Sequence, residues 1–137
     1  MHVRITALSA DIKHLELSNG DADEAVRQLS AFPWVEALNY MKELEAAKAA
    51  DIISPEMTFT ALPAHMTVQA EETLRFNVEV CLPPLKKLLG VFSWPPARFY
   101  IFKDVARDRV AEMVRQFCVD DLESKHDYFA QLEANSR

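Results

Sequence analysis

Glycine is almost missing from this chain, with only Gly20 and Gly90 in 137 residues. Phosphate cradles are built from closely spaced glycines, so neither the dinucleotide nor the P-loop pattern occurs, and no cofactor of that kind is expected. Cysteine is equally scarce. Cys81 and Cys118 lack metal-type or redox-type spacing, which leads to the expectation of two reduced, buried thiols. No serine sits in a G-x-S-x-G elbow. The four histidines, His2, His14, His65 and His126, form no H-E-x-x-H or H-x-x-x-H pattern, so no metal is expected. No apolar run approaches the length needed to span a bilayer. The first residues alternate and carry Arg4, without the apolar core of a secretory leader, so the expected setting is cytoplasmic, away from membranes. Positive charge is also in deficit: 15 Lys and Arg face 21 Asp and Glu, a net charge of −6. Phosphate affinity comes from cations, so nucleic acid is a poor partner, whereas a basic protein would be attracted.

What is present is enough for one core. Half of the residues are hydrophobic and the length suits one domain over residues 1–137. The acidity is uneven. Residues 1–60 carry 5 cations against 10 anions and residues 104–137 carry 5 against 8, while residues 61–103 carry 5 against 3.

Periodicity sets the elements. Residues 2–8 alternate through Val3, Ile5 and Ala7, and residues 12–18 repeat this through Ile12, Leu15 and Leu17, predicting a hairpin. Asn19-Gly20 reads as a strand stop, and Asp21 with Glu24 as the start of a capped helix. Phe32-Pro33-Trp34 breaks that helix, with Pro33 suited to the first position of a second one carrying Trp34, Ala37, Leu38, Met41 and Leu44. Strand period returns at Met57, Phe59 and Ala61, and again over 65–70. Between Leu74 and Leu82 it gives the cleanest alternation of the chain, opposite Arg75, Asn77, Glu79 and Cys81. Arg98 to Phe102 reads as a further strand. Asp104 is placed to cap a helix with the stripe Val110, Met113, Val114 and Phe117, and Asp120 or Asp121 to open a last helix with Leu122, Phe129 and Leu132. This order predicts an α+β domain: an antiparallel sheet of about five to six strands with helices packed mainly on one face.

Residues 83–96 stand apart. Pro83-Pro84 and Pro95-Pro96 bracket Leu85, Leu88, Leu89, Val91, Phe92 and Trp94, so an apolar segment must leave regular structure on both sides. Its side chains either fold onto the domain or meet a partner. Lys86-Lys87 among them is too little charge for anchoring to an anionic membrane. Glu123, His126 and Asp127 share one face of the last helix, a set that a solvated helix surface also carries.

Three pieces of the chain together bear a likeness to a known class. They are Phe32-Pro33-Trp34, Lys86-Lys87-x-x-Gly90-x-Phe92, and Tyr100-x-Phe102-x-Asp104-Val105 before a helix ending near Phe117, followed by Asp120-Asp121-x-Glu123. Their arrangement resembles small α+β immunity proteins of bacterial polymorphic-toxin, contact-dependent or type VI secretion systems. The resemblance implies a protein without catalysis of its own that binds a co-encoded toxin and occludes it. Two contact surfaces stand open. An apolar anchor of Leu89, Phe92 and Trp94 is one, and the acidic set Glu36, Glu43, Asp120, Asp121 and Glu123 facing a basic cleft is the other. The competing expectation is a homo-oligomeric scaffold or adaptor, such as a homodimer, with residues 85–94 packed between copies.

Overall fold

The computed structural model of the chain describes residues 2–9, 15–50, 52–84, 86–88, 92–94 and 97–136, with backbone alone for 15, 86–88 and 92–94. In chain order the elements are β1 (Val3–Leu8), β2 (Leu15–Gly20), α1 (Ala22–Ala31), α2 (Trp34–Ala46), β3 (Glu56–Ala61), β4 (Ala64–Ala70) and β5 (Phe76–Leu82). β6 (Lys86–Leu88), β7 (Phe92–Trp94), β8 (Arg98–Val105), α3 (Arg107–Phe117) and α4 (Leu122–Asn135) complete the chain. Six strands form one antiparallel sheet in the order β2-β1-β3-β4-β5-β8, and β6 pairs with β7 in a separate small hairpin. The class is α+β, as expected.

The register lets whole rows of side chains be followed across the sheet. On one face Phe102, Val78, Val68, Met57 and Ala7 form one row, and Tyr100, Val80, Met66, Phe59 and Ile5 the next. Every member of both rows is at most 6% exposed. The helices cover this face: Leu29 of α1, Trp34, Leu38 and Met41 of α2, the stripe Val110, Met113, Val114 and Phe117 of α3, and Phe129 of α4 join the strands in one core. Each such side chain contributes roughly 1.5–3 kcal/mol by leaving water, so the period-2 strands and the 3.6-period helices agree on one buried layer.

Local chemistry explains where the sequence reading holds and where it fails. The Asp21 carboxylate accepts from the Glu24 amide at 3.0 Å, capping α1. Glu24 does not reach back as a full capping box would; it accepts from Ser18 Oγ and holds Arg27 instead. Gly20 belongs to β2 rather than stopping it. A Cβ there would lie 2.6 Å from the Glu24 side chain, so glycine permits the strand end to pass close to the first turn of α1. The break at Phe32-Pro33 is as read, one residue displaced: Pro33 is the N-cap and Trp34 the first helical residue. The rings of Phe32 and Trp34 meet at the joint with centroids 4.5 Å apart.

Two further expectations are overturned here. Leu74 lies outside β5, at φ 59°, in the tight connection that Glu71 and Arg75 close with a backbone bond of 2.8 Å. Asp104 does not cap α3; Ala106 is the N-cap, without a side-chain bond. Asp104 sits in a bulge where Lys103 and Asp104 together oppose Asn77, because Phe76 pairs with Val105 and Val78 with Phe102. Its φ is 57°, a conformation that Asp tolerates better than most residues. The Arg75 guanidinium holds it there, reaching the carboxylate at 2.9 Å and the carbonyl at 2.6 Å.

Candidate binding surface

Among the described residues no helix covers the opposite face of the sheet. Two rows run across it: Ile101, Glu79, Thr67, Thr58, Thr6 and Glu16, and beside them Phe99, Cys81, His65, Thr60, Arg4 and Asn19. This face is polar over its central strands and apolar at β8. Phe99 is 62% exposed and Ile101 54%, next to each other on one strand. A Phe ring of that exposure leaves much of its apolar surface in water, beside the exposed Ile101.

The surroundings of the pair are specific. The His65 ring meets Phe99 edge-on, with centroids 6.2 Å apart, while Cys81 lies between them in the ladder. Cys81 is therefore half-exposed, and the expectation that both thiols are buried holds for Cys118 alone. Farther along the face, burial and the nearby Glu79 carboxylate push the Glu56 carboxyl up. Arg4 and Glu16 face each other at 3.6 Å, an exposed pair that contributes little.

Beneath the rim of β8 runs a groove of about 800 Å³, lined by residues that include Ile101, Lys103, Arg109, Leu132 and Glu133. Its walls come from the β8 bulge, the start of α3 and the end of α4. Arg98 donates to Glu133 at 2.9 Å and lies 4.7 Å above the Tyr100 ring.

The other titratable groups serve the core. His126 is 5% exposed, with Nε2 2.7 Å from the Pro83 carbonyl and Nδ1 3.4 Å from the Tyr100 hydroxyl. A carbonyl only accepts, so Nε2 carries the proton and Nδ1 accepts from the tyrosine. This ties α4 to the chain leaving β5. Of the imagined trio on α4, Glu123 and Asp127 are exposed while His126 points inward. Among the described residues no three His, Cys, Asp or Glu side chains gather to hold a metal ion. Lys125 is buried over the Phe117 ring, 5.2 Å from its centroid, and burial pulls its ammonium below the usual lysine range. Burial pushes the neighbouring Cys118 thiol up to about 11.

The residues singled out from sequence are dispersed. Leu89 lies outside the described residues. Phe92 and Trp94 belong to β7, where Trp94 pairs with Lys86, and their side chains also lie outside the described residues. Glu36 and Glu43 are exposed on α2; Asp120, Asp121 and Glu123 are exposed at the α3–α4 junction. Asp121 caps α4, accepting from Ser124 Oγ at 2.6 Å, and that bond lowers its carboxyl below the ordinary range. The exposed pair Phe99 and Ile101 was missed. Its signal was present: Phe99, Tyr100, Ile101 and Phe102 are four apolar residues in a row, and a strand with one covered face can hide only alternate ones.

No protein family, curated protein sequence or solved structure matches the chain. Among the described residues no helix is long and apolar enough to cross a membrane.

Proposed function

We propose that this chain is a non-catalytic immunity-type inhibitor that binds and occludes a toxin protein encoded beside it, using the helix-free face of its sheet. The observation that carries the reading is the exposed pair Phe99 and Ile101 at the apolar end of an otherwise polar face. Protein interfaces are anchored by a few aromatic and aliphatic side chains within a polar rim, and here Thr58, Thr67, Glu79, His65 and Lys103 supply polar neighbours. The acidic balance favours a basic partner and speeds encounter with it. The likeness of the chain's short motifs to small immunity proteins points the same way.

Co-expression tests it. The product of the adjacent gene, expressed alone, should arrest growth, and this chain should restore it. A harmless neighbour, or one that stays lethal with this chain present, removes the reading.

A further inference from the structure

Exposed edges of sheets are normally blunted, because their unpaired backbone groups recruit other strands. β8 is the last strand of the sheet, and among the described residues no strand lies beyond it. The bulge at Lys103 and Asp104 ends its regular ladder at one end. Arg98 to Phe102 remains regular, and it is in this run that Phe99 and Ile101 are exposed.

We propose that two copies of this chain join along β8, antiparallel about a two-fold axis at Tyr100, so that the sheet of one continues into the other. An isologous pairing must have a central residue, and Tyr100 alone is the midpoint of the whole regular run. That centre fixes the contacts. Phe99 of each copy lies opposite Ile101 of the other, an aromatic–β-branched pair formed twice on the helix-free face. Arg98 of each copy, which is bonded to Glu133 of its own chain, lies opposite Phe102 of the other. α4 packs on the covered face beneath β8, through Phe129 against Tyr100 and Phe102, and its His126 is tied to Pro83 just past β5. The consequence for the face is direct. In one copy the apolar pair sits at the margin of the helix-free face; in the dimer four apolar side chains occupy its centre, with a polar rim on both sides. This deepens the inhibitor reading by placing its anchor, while the dimer itself rests on β8 alone.

Sedimentation of the full chain tests it at about 100 μM, enough to populate a dimer of micromolar Kd. The wild type should have twice the chain mass of 15.6 kDa. Ile101→Glu, at an exposed position, should be a folded monomer, because it sets a carboxylate against Phe99. Phe99→Lys with Ile101→Glu should regain the dimer, since this register pairs Lys with Glu twice. A monomeric wild type overturns the proposal, as does a dimer indifferent to Ile101→Glu. A double variant that stays monomeric overturns the register and with it the proposal. A wild-type dimer that gives no protection from the adjacent gene product supports the dimer and removes the inhibitor reading. A protective monomer does the reverse.

Discussion

Replacing Trp34 should reveal how the break between α1 and α2 is held. The indole is 2% exposed, its Nε1–H donates to the Leu29 carbonyl at 2.9 Å, and its ring lies against Phe32 at 4.5 Å and Phe76 at 5.2 Å. It thus joins the last turn of α1, the first turn of α2 and β5 of the sheet. Trp34→Phe keeps a ring but deprives a buried carbonyl of its donor, which costs about 1–3 kcal/mol. Trp34→Ala removes the ring as well, and large-to-small changes of that kind cost about 3–5 kcal/mol. For a chain of this length each kcal/mol moves Tm by roughly 3–4 °C, so the two variants should melt about 7 and 14 °C below the wild type. Urea unfolding followed by far-UV circular dichroism gives the free energies directly. A Trp34→Phe variant within about 0.5 kcal/mol of the wild type would refute the reasoning, because the indole N–H would then contribute nothing to the joint.

Three other outcomes follow from the same structure. Iodoacetamide should label Cys81 in the native protein and spare Cys118, whose thiol burial pushes up to about 11; mass spectrometry should count one adduct in buffer and two in urea. The Arg27 guanidinium and the Gln28 amide hold the Glu24 carboxyl down at about 2 against 4.5 unfolded. Its stabilisation is therefore present above pH 4.5 and lost as pH falls towards 2, and Glu24→Gln should flatten the acid limb of stability across that window in urea titrations at stepped pH. His126→Phe leaves the Pro83 carbonyl without its donor and should cost about 1–3 kcal/mol, read by urea unfolding, with faster amide exchange at the end of β5.

Much of the fold was legible because strand and helix periods differ and each buried layer repeats one of them. Val3, Ile5 and Ala7, or Val110, Met113, Val114 and Phe117, admit one reading each, and the structure buries them all. The failures came where a residue's local preference met a tertiary constraint. Asp104 has the chemistry of a cap, but Arg75, 29 residues earlier, holds it in a bulge. Asn19-Gly20 has the composition of a turn, but the glycine is needed where α1 passes within contact of the strand. Leu74 kept the alternation of β5 in phase without belonging to it. The surface was harder still. Acidic residues such as Asp121 drew notice for their charge, although the carboxylate's partners are within its own helix turn. Phe99 and Ile101 read as core because nothing local distinguishes the covered face of a strand from the bare one. That distinction needs the order of the strands and the side on which the helices lie.

The central claim is that the apolar pair on the bare face is where this chain meets its partner. Calorimetric titration of the adjacent gene's product against the wild type and against the double variant Phe99→Lys, Ile101→Glu tests it most directly, since the variant is expected to keep the fold and the dimer while losing the anchor. Anchor residues at interface centres each carry 2 kcal/mol or more, so the account predicts affinity at least about 30-fold weaker for the variant. Equal affinity for the two proteins would contradict it.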